Sequence, residues 1–284
     1  MLMASSLALL YRWEGEISPK PQDDVSVMIS ADKLIKRFSG RTAVDTVSFT
    51  VERGEVLGFL GPNGAGKSTT MKMIAGCLEP DGGKASVDGF DSALDRQGAQ
   101  ARLGYLPEGA PAYPAMTPRG YVRFHLRARG FSGAALTVAT QTALERANLG
   151  AAAEKPIGAL SKGYKRRAAL AAAIAHDPPV LILDEPTDGL DPNQKDGVRA
   201  LIREMAPKKA IIISTHLLEE VESICTRAIV IAGGRLLADA TPSELAKMGP
   251  QNTVGSAFRT LTRLADEVIQ DRPGTSQQDG GRAA

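Results

Sequence analysis

Gly61-Pro62-Asn63-Gly64-Ala65-Gly66-Lys67-Ser68-Thr69 fits the pattern G-x-x-x-x-G-K-[ST], and its flanks decide the fold. Before it, residues 55–60 (Glu-Val-Leu-Gly-Phe-Leu) read as a buried strand, and after it residues 68–77 carry a helical pattern. In a strand–loop–helix unit the glycines let backbone N–H groups turn inward around phosphate oxygens, and the helix N-terminus adds a favourable dipole. Lys67 is then placed to bridge the outer phosphates, and the Ser68 hydroxyl to ligate Mg²⁺. With Gly at about 7% of residues, chance produces such a four-position match in roughly one chain per hundred, and the flanking strand and helix lower those odds further.

Working outward, residues 44–51 alternate as a half-buried strand, whereas 180–183 and 210–214 are near-continuous apolar runs. Such runs suit parallel strands covered on both faces, and their alternation with helical patterns predicts an α/β core. Val180-Leu-Ile-Leu-Asp184-Glu185-Pro186 ends a buried strand in two acids, which is costly without charged partners. Mg²⁺ on phosphates is such a partner. Asp184 is expected to hold the ion, directly or through water, and Glu185 to orient and polarise an attacking water. The run Ile211-Ile-Ile-Ser-Thr delivers His216 at its end, within reach of a terminal phosphate, where it can hold the water or Glu185. Alone, a histidine after a strand is more often structural; here its company makes it a catalytic candidate.

Between residues 106 and 165 the pattern changes. Pro107, Pro111, Pro114 and Pro118 break the chain, and helices are expected near 119–129 and 134–147, so this stretch reads as an inserted helical subdomain. Residues 1–27 look like a poorly ordered extension; a strand-like stretch over 27–30 follows, and Met28 is an expected alternative start codon. After Gly249, apolar residues at Val254, Ala257, Phe258, Leu261, Leu264, Ala265 and Val268 predict a helix packed on the core, followed by a disordered tail over 271–284. The expected division is therefore 1–27, 28–248 and 249–284, with no internal repeat.

Leu160-Ser161-Lys162-Gly163-Tyr164, followed by Lys165-Arg166-Arg167, resembles the signature motif of ABC ATPases. Gly189-Leu190-Asp191-Pro192 resembles that family's D-loop and Gly104-Tyr-Leu-Pro-Glu108 its Q-loop region. The order and approximate spacing of these elements agree over residues 28–245. The resemblance implies a phosphate-loop NTPase core with a mostly parallel central sheet, an N-terminal antiparallel β-subdomain and an inserted α-helical subdomain. It places Phe38 where an aromatic ring stacks on adenine, with Val44 beside it. It gives Glu108 the Q-loop role of metal ligand and hinge into the helical subdomain. It also implies that Ser161 and Gly163, at a helix N-terminus, complete the ATP site of an opposite subunit, so that two ATP molecules are sandwiched in a dimer. Ser161 reads as the N-cap of a helix over 164–175. Lys162 and Tyr164 depart from the commoner L-S-G-G-Q, and Glu108 stands where glutamine is usual; Lys162 is expected to add positive charge near the partner's phosphate. Y-L-P-E with L-S-K-G resembles the branch that drives the second class of bacterial exporters, whose membrane subunits are separate chains.

The 284 residues carry a net charge of only +2, with 43% hydrophobic and 23% charged, so disorder throughout and bulk polyanion binding are not expected. Cys77 and Cys225 lie far apart and read as two free thiols in a reducing compartment, and with only His125, His176 and His216 a zinc site is not expected. No apolar run approaches the 20 or so residues of a spanning helix. The expected partners are a second copy or a related ATPase subunit and a separate integral-membrane permease, at the cytoplasmic face of the inner membrane, with no nucleic acid. A rival reading is an ABC-type ATPase acting on ribosomes or nucleic acid; such relatives typically carry two modules or a long coiled-coil insertion, neither of which is seen here. A non-catalytic regulatory subunit is disfavoured by Lys67, Asp184, Glu185 and His216 occurring together.

Overall fold

A computed structural model describes residues 27–270; the expectations for 1–26 and 271–284 lie outside the described residues. Two sheets organise the chain. β1 (Val27–Phe38), β2 (Arg41–Glu52), β4 (Gly82–Val87) and β5 (Phe90–Asp91) form an antiparallel sheet in the order β2-β1-β4-β5. β3 (Val56–Leu60), β6 (Leu103–Leu106), β7 (Val180–Asp184), β8 (Ala210–Ser214), β9 (Arg227–Ala232) and β10 (Arg235–Ala240) form the second, ordered β10-β9-β3-β8-β7-β6. All its pairings are parallel except the terminal β9–β10 hairpin.

Every residue of β3, β7 and β8 is buried, as expected for central parallel strands with both faces covered. The strand boundaries are wider than the apolar runs suggest: β2 starts at Arg41 and β7 includes Asp184. Hydrogen bonding continues there although hydrophobicity has stopped. Phe49 and Phe59 meet edge-on at 5.1 Å and join the two sheets through one core with Ile29, Met71, Ile182 and Ile229. Such side chains contribute about 1.5–3 kcal/mol each when fully buried.

Helices follow the strands at their carboxyl ends. α1 (Lys67–Ile74) follows β3, and α2 (Arg96–Ala101) precedes β6. Between β6 and β7 lie α3 (Pro118–Ala128), α4 (Gly133–Arg146) and α5 (Lys162–Ile174), which build a separate core from Tyr121, Leu126, Leu144, Ile157 and Ala168, Ala171 and Ala172 of α5. α3 starts where its sequence dictates: Thr117 accepts a hydrogen bond from the Gly120 amide at 3.0 Å and Pro118 fills the first turn. α6 (Pro192–Met205) has the same start, with Asp191 as cap, and α8 (Pro242–Lys247) is closed by a reciprocal Thr241–Glu244 capping box. α7 (Leu218–Ile224) follows β8.

α9 (Val254–Gln270) packs through Val254 and Ala257, with Phe258 and Leu261 partly covered. Leu264 departs from the expected buried stripe and is 49% exposed. The core contacts described for this helix lie in its first turns. Among the described residues no helix is long and apolar enough to cross a membrane. Cys77 and Cys225 are both free thiols.

Candidate active site

The loop between β3 and α1 is shaped by glycines that no other residue could replace without strain. Gly66, the residue before α1, has φ +104, and a Cβ there would lie 2.5 Å from the Ala43 carbonyl oxygen. Gly61 is closed in from the other side, where a Cβ would meet the Ile231 carbonyl at 2.3 Å. The strand ends on both sides thus press on the loop and fix its course. Pro62, Asn63 and Gly64 form its exposed rim, Ala65 is buried, and Ser68 and Thr69 are half-buried at the first turn of α1. The buried Lys67 ammonium donates to the carbonyls of Gly61 (2.6 Å) and Pro62 (3.2 Å). Burial pushes the Lys67 ammonium below its usual pKa, while the charges of Glu185, Asp184 and Glu108 pull it back up.

Those three acids mark the far wall. Asp184 is 1% exposed and accepts a hydrogen bond from the Ser214 hydroxyl through Oδ1, while its Oδ2 is buried with no hydrogen-bond partner. Such an oxygen is costly unless a cation or donor arrives beside it. Glu185 sits at φ +53, outside the ordinary strand region, which turns its side chain off the sheet. Its amide donates to the Ser214 carbonyl at 3.1 Å, and its Oε2 accepts a hydrogen bond from His216 Nδ1 at 2.8 Å. A carboxylate can only accept, so this bond leaves His216 Nε2 facing elsewhere. From α5, the buried Arg166 donates to the carbonyls of Asp184 (3.0 Å) and Glu185 and so holds the turn that carries both acids.

Glu108, Glu185 and His216 line one cleft of about 440 Å³ with Gly61, Pro62 and Asn63, so the Q-loop position and the ends of β3, β7 and β8 converge. Ser161 and Gly163 lie elsewhere, at the start of α5. Ser161 Oγ accepts from the Tyr164 amide at 3.4 Å, and Gly163 is buried so closely that a Cβ would lie 2.5 Å from Gln194 Oε1. Lys162 has a partner in its own chain: its ammonium lies 2.8 Å from Asp188, and its stem passes over Gly189. Tyr164 turns into the helical core with the Arg167 guanidinium 4.2 Å above its ring.

Phe38 is 48% exposed at the end of β1, with the Lys36 ammonium 5.7 Å from its ring, and it does not line the cleft. The placement of Val44 beside an adenine requires correction: Val44 is fully buried, and its methyl packs behind Gly66. Asp188, Leu218 and Phe258 also line the cleft and escaped the sequence reading. Asp188 follows the Asp-Glu pair closely enough to have been suspected. Phe258, from α9, comes from a segment that sequence alone could only describe as amphipathic.

The donors available for a cation are oxygens: the Ser68 hydroxyl and the Asp184 and Glu108 carboxylates. Such a set suits Mg²⁺, which takes one or two carboxylates and completes its shell with phosphates and water. The unpartnered Asp184 Oδ2 is the atom that fits it.

The family model for ABC transporters matches residues 44–188. A Nod factor export ATP-binding protein I from Burkholderia lata is 41% identical over 211 residues, which is 74% of this chain and 69% of the relative. Among solved structures, an ATP-binding subunit of an ABC transporter superposes with a TM-score of 0.76 at 28% identity, covering 83% of this chain and 99% of the other. A bacterial ABC transporter cassette solved as a dimer gives a TM-score of 0.71 at 23% identity over 75% and 98% of the two chains, and so supports the fold. This chain belongs to the ABC transporter family as an ATP-binding subunit, an ATPase whose hydrolysis of ATP powers transport.

Proposed function

We propose that the chain is the motor of an exporter: it dimerises around two ATP molecules and drives a separate membrane permease from the cytoplasmic face of the membrane. The observation that carries the dimer is the position of the signature. Ser161 and Gly163 do not line the cleft that holds Glu185 and His216, so the anion-binding start of α5 is left for a second subunit's nucleotide. The relative's role in export supports the direction of transport.

Within the cleft, the loop N–H groups of residues 63–69 bind the phosphates, and Lys67 exchanges its two carbonyl partners for the outer phosphate oxygens. Ser68 and Asp184, with Glu108 at the cleft edge, would hold Mg²⁺, which would neutralise phosphate charge when bound. Glu185 accepts a hydrogen bond from the attacking water and polarises it, and His216 fixes the Glu185 carboxylate at 2.8 Å. ATP and water leave as ADP and phosphate. Closure and reopening of the dimer move the helical unit of about residues 106–165. There the exposed Tyr113 and Phe124, 5.7 Å apart and edge to face, form an apolar platform for a permease segment.

Glu185→Gln tests this reading. The variant is expected to bind ATP, accumulate as a closed dimer in size-exclusion chromatography and lose turnover by about 10²–10⁴-fold. Undiminished ATPase would remove Glu185 from its role, and copurification with ribosomes in place of a membrane subunit would overturn the exporter assignment.

A further inference from the structure

The catalytic pair spans two loops that are not neighbours in the chain. Glu185 follows β7 and His216 follows β8, and each loop has its own internal ties. Asp188 N–H donates to the Glu185 carbonyl at 3.1 Å and Leu190 N–H to that of Thr187 at 3.2 Å, which folds residues 185–190 into a compact turn. On the other side, Leu217 N–H donates to Thr215 Oγ1 at 3.0 Å and Glu220 N–H to the Leu217 carbonyl at 3.0 Å, which leads His216 directly into α7. Behind the exposed edge of the Glu185–His216 contact, the turn and the helix are joined by one buried side-chain bond: Thr187 Oγ1 donates to Glu220 Oε1. Thr187 is 1% exposed and Glu220 0%.

A carboxyl group buried on a seven-residue helix has no obvious packing purpose. Its second oxygen, Oε2, is buried without a hydrogen-bond partner, so Glu220 weakens the fold locally while it holds Thr187. A leucine would pack there at less cost. What the carboxyl supplies is a directional, water-excluded tether two residues beyond Glu185 and four beyond His216.

We propose that Thr187 and Glu220 are positioning residues for hydrolysis: their buried hydrogen bond sets the separation of the two loops and therefore the alignment of the Glu185 carboxylate with His216. Both side chains are buried and neither lines the cleft. It acts through the geometry of the residues that do, and a displacement of about 1 Å in such a group costs on the order of a hundredfold in rate.

The test is steady-state ATPase on the full chain. Thr187→Val keeps the shape and deletes the donor, and is expected to lower kcat about ten- to a hundredfold while KM for ATP changes less than about twofold. Thr187→Ser, which restores the hydroxyl, should recover kcat to within about threefold of the parent. In a His216→Ala background, Thr187→Val should add less than about a twofold further loss, because the residue it aligns has gone. Glu220→Met covers the case in which Thr187→Val does not fold. It removes the acceptor together with the unpartnered oxygen, so kcat should fall as for Thr187→Val with the melting temperature unchanged or raised. Parental kcat in either variant overturns the proposal. So does a full additional loss on top of His216→Ala, or a rise in KM that matches the change in kcat/KM.

Discussion

Lys162 Nζ stands 2.8 Å from Asp188 Oδ2, so the lysine that distinguishes this signature is tied to a residue of its own chain's cleft. The reason is local. Gly189 has no side chain, and the Lys162 stem lies across it. Lys162 is 68% and Asp188 41% exposed, so solvent screens the pair and its worth to stability is at most about 1 kcal/mol.

Its effect should be visible in function and in pH dependence instead. The Lys162 ammonium holds the Asp188 carboxyl below the usual 3.8. The pair's small stabilisation is thus fully present above pH 3.8 and is lost as pH falls through the lower folded-state value. Lys162→Ala should match the parent in stability below that window and fall slightly short above it, as read from urea midpoints across pH. With Asp188 uncompensated beside the phosphates, KM for ATP should rise about two- to fivefold at low salt, and the difference should vanish near 1 M NaCl.

Gly66→Ala asks the phosphate loop to accept a Cβ 2.5 Å from the Ala43 carbonyl at φ +104. β2 must then move away or the loop must change course, at about 1–3 kcal/mol for the backbone alone. Denaturant unfolding should report that loss. Titration with ATP should report binding weakened by at least an order of magnitude, since the amides that cradle the phosphates move with the loop.

In the sequence Arg166 is marked only as part of a basic helix start, yet it is 4% exposed and carries the turn at Asp184 and Glu185. Removing it in Arg166→Ala takes the guanidinium donor from the Asp184 and Glu185 carbonyls and leaves the latter only the Asp188 amide, at a residue already held at φ +53. A stability loss of about 1–3 kcal/mol is expected, together with a fall in kcat larger than any change in ATP affinity. Circular dichroism melts and steady-state kinetics separate the two effects.

The contrast between Arg166 and Lys67 explains what was legible in the sequence. Lys67, Asp184 and Glu185 announce themselves because the chemistry needs those residues at fixed spacing beside apolar strands, and the strands β3, β7 and β8 follow from their uninterrupted hydrophobicity. His216 was readable only through the residues around it. Arg166 bonds to a carbonyl 18 positions away, Thr187 and Glu220 meet across 33 positions, and Phe258 reaches the cleft from α9; nothing local marks a donor to a carbonyl or a buried tether. Val44 shows the reverse error: a family position suggested contact with the base, whereas burial behind Gly66 makes it a support for the loop.

Asp184 sets activity against stability most directly. Its Oδ2 is buried without a hydrogen-bond partner, and Lys67, whose ammonium feels the Asp184 charge, donates to Gly61 and Pro62 instead. In the nucleotide-free protein Asp184→Asn replaces a buried charge with a neutral amide of the same shape, and Ser214 still has an oxygen to donate to. The variant should therefore melt higher than the parent without nucleotide, by an amount corresponding to about 1 kcal/mol or more. With ATP and Mg²⁺ the order should reverse, because the parent gains stabilisation from binding and the variant has lost a ligand for the ion. Added EDTA should erase most of the parent's gain and little of the variant's. A variant that melts lower than the parent under both conditions would mean that the Asp184 charge is already compensated in the free protein.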